Sequence, residues 1–149
     1  MNVPIKSVSE FHTALDKAMS SDKIKTIVIE SFTSLIEIIF READIRYKGF
    51  DVWSYYNKEI DKILDKSKNS DKYIVFTAID GVYDGDNGVE ERFVAVDGNR
   101  WKKRVEKEFV CVYLLIIITQ KIKHHTDLEP NRMVQTLQKA QWVCLSSYM

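Results

Sequence analysis

The chain has 149 residues, of which 45% are hydrophobic and 30% charged, a balance typical of a folded globular domain and unlike that of a disordered chain. Lys plus Arg and Asp plus Glu both number 22, so no net charge draws the molecule as a whole to nucleic acid or to an anionic membrane. The most apolar run, residues 109–118, is about half of the roughly 20 residues that a membrane helix needs, so we predict no membrane contact and a cytoplasmic location.

The first half of the chain alternates between helical and strand patterns. Ser7 and Glu10 fit a capping box, which predicts that a helix follows. Residues 24–30 read as a short apolar strand, and a second helix is predicted from about residue 33. A third helix is predicted over residues 51–66, and residues 73–78 predict a second apolar strand.

The second half begins with an Asp- and Gly-rich loop or hairpin turn and a short alternating strand at 91–96. A basic helical stretch over residues 99–109 and an apolar strand over 109–118 follow. This alternation predicts an α/β domain with a mainly parallel sheet flanked by helices. We assign residues 1–118 to this core and residues 119–149 to a divergent tail. The tail has a weak helical pattern (Met133, Leu137, Ala140, Val143) and no assigned place in the sheet.

Three segments carry a resemblance to a known family. They are "TIVIESFTSLIEII" at 26–39, "YIVFTAID" at 73–80 and "FVAVDGNRWKKRVEKEFVCVYL" at 93–114. In this order and spacing they resemble the later half of the phage RecA-like ATPases, the Sak-type annealing and recombination proteins also called phage nucleotide-binding proteins. The resemblance spans about residues 20–114. It implies a truncated RecA-like layered domain in which Glu30 takes the place of the Walker B acid that reaches magnesium.

The sequence departs from that family in the residues that would bind the phosphates and the magnesium ion. A phosphate loop ends in Gly-Lys-Ser/Thr, and its backbone N–H groups and lysine cradle the phosphates. The sequence has no such motif, and its first glycine is Gly49. Glu30 also stands where Asp is usual. We therefore expect Glu30 to be a relic of a cofactor-binding position, and we predict no cofactor and no enzymatic activity. Metal or nucleotide binding by Glu30, Ser31 and Thr33 is the alternative to helix capping by Ser31 or Thr33.

The tail suggests a hypothesis about origin. Reverse translation of "LQKAQWVCL" with AT-rich codons, read two bases later, gives Thr-Lys-Ser-Pro-Met-Gly-Met-Phe, which resembles the ending of family members. Either the tail arose by a frameshift after about residue 114 or the agreement is chance. On the frameshift hypothesis the tail should be dispensable to the sheet.

Other candidate metal and nucleophile positions favour ordinary structure. Asp80, Asp84 and Asp86 lack the spacing of a calcium loop, because Gly88 stands at the fifth place, and we interpret them as a turn. His124 and His125 are adjacent, so their side chains point apart on a helix or a strand. No Cys or carboxylate nearby has the spacing that would complete a zinc site with them. Cys111 and Cys144 lie in apolar company, which predicts free thiols in a reducing compartment. No metal site is predicted.

Two clusters are candidate binding surfaces. The first is a cluster of aromatic residues, for which core and interface are the two alternatives. The residues that we predict to bind a partner are Tyr47, Phe50, Trp53, Tyr55 and Tyr56. The second interleaves cations with an aromatic residue, which suits a single-stranded nucleic acid or a solvated helix face. It comprises Arg100, Trp101, Lys102, Lys103, Arg104 and Lys107.

The sequence thus leads to two hypotheses of function. The first is a non-catalytic, phage-derived interaction protein that binds a protein partner. Its origin favours an inhibitor of a host nucleic-acid-targeting defence, of the anti-CRISPR type, with a host nuclease complex as partner. An exposed sheet edge adds a homodimer to this expectation. The alternative is a single-stranded nucleic-acid-binding accessory that keeps the contacts of a recombination ATPase.

Overall fold

The computed structural model describes residues 2–84, 89–102, 104–120 and 135–146. Over these ranges the fold is a mixed α/β arrangement of three α-helices, five strands and one 3-10 turn. In chain order the elements are α1 (Val8–Met19), β1 (Thr26–Ile29), α2 (Phe32–Arg46), α3 (Phe50–Lys68), β2 (Tyr73–Asp84), β3 (Glu90–Val94), the 3-10 turn (Val105–Glu108), β4 (Cys111–Gln120) and β5 (Gln135–Ser146). None of the helices in the described part is long and apolar enough to cross a membrane.

Serine side chains begin the first two helices. The Glu10 backbone N–H donates to Ser7 Oγ at 3.2 Å, and the Ser34 N–H donates to Ser31 Oγ at the same distance. These bonds satisfy N–H groups that have no partner within the helix. The predicted capping at Ser7 and Ser31 is therefore confirmed.

The sheet contains one parallel pair, β1 with β2, in which Thr26 lies opposite Tyr73. The other pairings are antiparallel: β3 with the far end of β2, and β5 with both β2 and β4. The strand order is β1-β2-β5-β4, with β3 beside β2. The predicted α/β class is confirmed in this mixed form, and the expectation of a mainly parallel sheet is wrong. A parallel neighbour needs a long crossover connection, whereas β3 follows β2 as a hairpin.

The core lies between the helices and one face of the sheet. Ile74, Phe76 and Ala78 alternate along β2 and are at most 1% exposed. Phe32 of α2 meets Phe76 edge-to-face with ring centroids 5.3 Å apart, and Phe109 meets Phe76 at the same separation. Such edge-to-face pairs add to the stabilisation from burial alone. The helices thus cover a single face of the sheet.

Two predicted helices are not present. The basic stretch at 99–109 forms turns and the short 3-10 turn. Its buried residues Trp101, Val105 and Phe109 anchor an irregular segment against the core. The tail's helical pattern is also wrong over residues 135–146, which form β5 between β2 and β4. Residues 121–134, including His124 and His125, lie outside the described residues.

Candidate functional site

The predicted aromatic cluster surrounds the start of α3. The chain reverses between α2 and α3 within residues 47–49, and Gly49 adopts φ 58°, a region that residues with a Cβ rarely occupy. A Cβ at Gly49 would meet no atom within 4 Å, so glycine is favoured there by backbone conformation and not by lack of space. This turn places Phe50 at the first position of α3.

The five aromatic residues divide between core and surface. Tyr56 is completely buried, and its hydroxyl donates to the Asp97 carbonyl oxygen at 2.8 Å. Tyr55 is half-buried and packs on Tyr47, with ring centroids 5.2 Å apart. Phe50 is 86% exposed and Trp53 is 36% exposed. Tyr56 is therefore a core residue, and the accessible aromatic surface comprises Phe50, Trp53 and Tyr47.

The inner side of the Trp53 ring packs against other aromatic rings. Its ring packs on Phe40 at 5.2 Å and edge-to-face on Tyr56 at 5.6 Å. A Cβ built at Gly98 would lie 3.2 Å from Trp53 Cζ3, so the backbone at Gly98 approaches the indole closely. An exposed aromatic ring with a fixed orientation loses little conformational entropy when a partner covers it.

Phe50 and Trp53 border a cleft of about 370 Å³ on the outer surface of α3. We call it the α3 cleft; it is lined by Phe50, Trp53, Ser54, Asn57, Lys58, Asp61 and Arg100. Six of these residues lie on one face of α3, at positions i, i+3, i+4, i+7, i+8 and i+11 counted from Phe50. Sequence reasoning missed the polar members because it weighed the aromatic and charged residues separately, although their common spacing was visible.

The polar side of the cleft contains both charges and an unsatisfied amide. Arg100 Nη2 donates to Asp61 Oδ1 at 2.8 Å, and the Arg100 guanidinium lies 5.0 Å from the Trp101 ring centroid. Asn57 Oδ1 is buried, and no hydrogen-bond partner for it occurs among the described residues. Buried polar atoms are nearly always paired in proteins. The α3 cleft therefore combines an apolar rim with an oriented cation, above a buried amide oxygen that has no partner among the described residues.

The predicted nucleic-acid residues differ in exposure, and their one aromatic side chain is buried. Trp101 is 4% exposed, so its ring cannot stack on a base. Arg100 pairs with Asp61, but its side chain remains 55% exposed. Lys102, Arg104 and Lys107 are exposed, whereas Lys103 lies outside the described residues. Acidic residues interrupt this segment: Glu106 accepts from the Val94 N–H at 2.7 Å, and Glu108 pairs with Lys68.

Glu30 lies at the carboxyl end of β1 and is exposed. Ser31 caps α2, and the buried Thr33 hydroxyl accepts a hydrogen bond from the Ile79 N–H at 3.1 Å. Across the described residues no group of three His, Cys, Asp or Glu side chains could hold a metal ion. Asp80 pairs with Arg92; Asp86 lies outside the described residues.

A polar contact that the sequence did not reveal joins α1 to α3. His12 Nε2 lies 2.8 Å from Glu59 Oε2, and Lys62 Nζ lies 3.8 Å from Glu59 Oε1. Burial, followed by the nearby Glu59 carboxylate, raises the pKa of Tyr55. His12 and Glu59 are 47 residues apart in the chain, a separation at which no local motif exists. The pair fixes α1 against the helix that carries the α3 cleft.

Comparisons with protein-family models, with curated proteins and with solved structures found no match.

Proposed function

We propose that the protein is a non-catalytic interaction protein that binds a protein partner through the α3 cleft. The observation that carries this proposal is Phe50, a large aromatic side chain 86% exposed beside a Trp53 ring that is fixed from behind. Aromatic side chains, Phe and Trp among them, are enriched at protein interfaces, and Trp is among the residues that contribute most to binding. The exposed Arg100 guanidinium supplies a directional polar contact that would accompany them.

The class of partner is proposed from the resemblance to phage ATPases. The resemblance implies a phage origin, and the sequence contains no phosphate-loop motif. Both suit an inhibitor of a host nucleic-acid-targeting defence, with a nuclease complex of that defence as its partner. The nucleic-acid alternative has less support, because Trp101 is buried and net charge is zero. Lys102 and Arg104 are exposed, so their replacement by alanine can test this alternative.

The test is an interference assay, in which bacteria with an active CRISPR-type defence are challenged with a targeted plasmid while they express the protein. We expect the wild-type chain to restore transformation and Phe50→Ala to abolish that effect. Truncating an anchor costs about 2 kcal/mol or more, which corresponds to about a 30-fold loss of affinity. The free energy of unfolding should change by less than about 0.5 kcal/mol, because Phe50 is exposed.

Two control variants make the result specific. Ile45→Ala removes an apolar side chain that is 77% exposed on α2, outside the cleft, and should remain active. Lys102→Ala combined with Arg104→Ala removes two exposed cations and should also remain active. Loss of both activity and salt-dependent oligonucleotide binding in the double variant, with Phe50→Ala unaffected, would replace this proposal with the nucleic-acid alternative.

A further inference from the structure

Two cations line the α3 cleft together with its aromatic rim. Arg100 Nη2 donates to Asp61 Oδ1 at 2.8 Å, yet the Arg100 side chain remains 55% exposed. A guanidinium has five N–H donors, and this is the one hydrogen bond that Arg100 makes among the described residues. Lys58 is exposed, and in the same part of the chain it has no ion pair. The cleft therefore presents an ammonium without a counter-charge and a guanidinium with unused donors.

The Arg100 guanidinium is oriented in the absence of a partner. It lies 5.0 Å from the centroid of the Trp101 ring, which is 4% exposed and belongs to the core. The hydrogen bond to Asp61 fixes its direction relative to α3. A planar guanidinium held in this way suits a carboxylate, because two carboxylate oxygens can accept two parallel N–H bonds from it.

The nearby acidic residues limit where an anionic group can bind. Asp51 and Asp65 are exposed, and each is seven residues from Lys58 along α3. At a rise of about 1.5 Å per residue this separation is about 10 Å, which exceeds the Debye length of about 8 Å at physiological ionic strength. Asp97 is also exposed but is not a lining residue of the cleft. Repulsion of an anion beside Lys58 by the acids on α3 is therefore largely screened.

We propose that the α3 cleft takes an acidic segment of the protein partner. An apolar side chain of that segment packs on Phe50 and Trp53, and a neighbouring Asp or Glu carboxylate contacts Arg100 and Lys58. This inference rests on the proposed function, since it specifies the chemistry of the partner at the same cleft. An apolar occupant without an acid would take both cations out of water with no compensating charge, which is strongly unfavourable. A basic occupant would add like-charge repulsion.

A nucleic acid suits the cleft less well than a peptide does. Each strand carries one phosphate per roughly 3.4 Å. A strand lying along α3 would therefore bring phosphates close to Asp51 and Asp65 as well as to Lys58. A single carboxylate within a peptide meets the two cations of the cleft without approaching those acids.

Selection from a displayed library of random dodecapeptides tests this inference. Peptides are selected on the folded wild-type chain, and those that also bind Phe50→Ala are removed. We expect the remaining peptides to combine Asp or Glu with an adjacent aromatic or large aliphatic residue. Replacing the acid of the tightest peptide by its amide should weaken binding about 10-fold or more, because a hydrogen bond to a charged group is lost.

Exchange of charge between protein and peptide identifies the cations. Lys58→Glu should weaken the acidic peptide by about 10-fold and should strengthen a peptide that has Lys in place of the acid. Arg100→Gln should also weaken the acidic peptide. Lys17→Glu is the matched control, because Lys17 is an exposed lysine on α1 and its replacement changes the net charge equally. This control should bind the acidic peptide as wild type does.

The outcomes distinguish this inference from the proposed function. Circular dichroism establishes that each variant is folded, and Lys58→Gln replaces Lys58→Glu if the latter is not. Peptides that need Phe50 but are not enriched in acids would overturn the inference and leave the proposed function in place. So would equal binding by Lys58→Glu and Lys17→Glu. Absence of any peptide that needs Phe50 would contradict both. Displacement of the peptide by a single-stranded oligonucleotide at physiological salt would assign the two cations to phosphate instead.

Discussion

Tyr56 and Phe50 are six residues apart on α3 and have opposite roles. Tyr56 is fully buried and bonded to the Asp97 carbonyl oxygen, whereas Phe50 is almost fully exposed. The sequence predicted an aromatic cluster in which core and interface were evenly weighed, because five aromatics within ten residues do not reveal which ring lies beneath which. In the structure, Phe40 and the backbone at Gly98 pack against one side of Trp53 and leave its other side accessible. Both are distant in the chain, so their contacts were not predictable from local spacing.

The burial of Tyr56 predicts instability in alkali. Burial, followed by the nearby Asp97 carboxylate, raises the pKa of Tyr56 well above its usual value of about 10. Below pH of about 10 both the folded and unfolded states keep the phenolic proton, and stability is full. Above that pH the unfolded state loses the proton while the folded state retains it, so the free energy of unfolding falls as pH rises towards the folded pKa. One such group contributes at most about 1.4 kcal/mol per pH unit.

Urea unfolding of wild type and Tyr56→Phe at pH 8, 10 and 11 measures this contribution. At pH 8 the variant should be less stable by about 1 kcal/mol, because it lacks the hydrogen bond to Asp97. From pH 10 to pH 11 its stability should fall less steeply than that of wild type. Parallel curves would show that Tyr56 ionises alike in both states, contrary to this prediction. The raised pKa of Tyr55 acts in the same direction in both proteins.

At the scale of elements, β5 is the strand on which the sheet depends most. It lies between β2 and β4, with register from Ile74 to Ile79 on one side and from Cys111 to Gln120 on the other. Without β5, β4 would have no described neighbour in the sheet. The frameshift hypothesis led us to expect a dispensable tail; the position of β5 leads us to predict the opposite for residues 135–146.

Deletion of residues 135–149 should therefore abolish cooperative unfolding. Each ladder hydrogen bond contributes about 0.5–1.5 kcal/mol, and a whole domain is stable by only about 5–15 kcal/mol. Loss of both β5 ladders thus removes an amount comparable to the total. The measurement is a urea titration followed by near-ultraviolet circular dichroism. Deletion of residues 147–149 alone is the control, and should unfold as wild type does. A cooperative transition after the longer deletion would restore the view that the tail is dispensable.

The elements that sequence reasoning placed well are those with local signals. Ser7 and Ser31 cap α1 and α2 as their spacing indicates, and the predicted third helix agrees with α3 within two residues at each end. The failures concern segments whose conformation is decided by distant partners. Residues 135–146 of the tail have a weak helical pattern but form β5, because this strand pairs with a neighbour on each side. Trp101, Val105 and Phe109 have α-helical spacing, yet they pack into the core from turns and the short 3-10 turn.

At the scale of the whole molecule, the helices form one layer and the sheet another. The helical layer carries the α3 cleft, and the sheet exposes Val28, Tyr73 and Tyr113 on its other side. The cleft residues on α3 share a helical spacing that the sequence displays, so this surface was partly predictable. The exposure of the other side of the sheet was not predictable, because the mainly parallel sheet predicted from sequence would have helices on both faces. The structure instead pairs β3 and β5 antiparallel to β2, and antiparallel sheets can leave one face without helices.

The same architecture bears on the nucleotide site that the resemblance to RecA-like ATPases implies. Glu30 is exposed at the end of β1, while Ser31 and Thr33 bond to backbone N–H groups of Ser34 and Ile79. The sequence contains no Gly-Lys-Ser/Thr loop to cradle phosphates. We therefore expect 5 mM Mg-ATP to leave the thermal midpoint unchanged. A ligand at about 100 times its dissociation constant adds about 2.7 kcal/mol, which for a domain of this size raises the midpoint by roughly 5–10 °C. Differential scanning fluorimetry resolves such a shift. A rise in wild type that Glu30→Ala abolishes, and that Glu37→Ala on the exposed side of α2 preserves, would show that Glu30 still serves a nucleotide-bound metal.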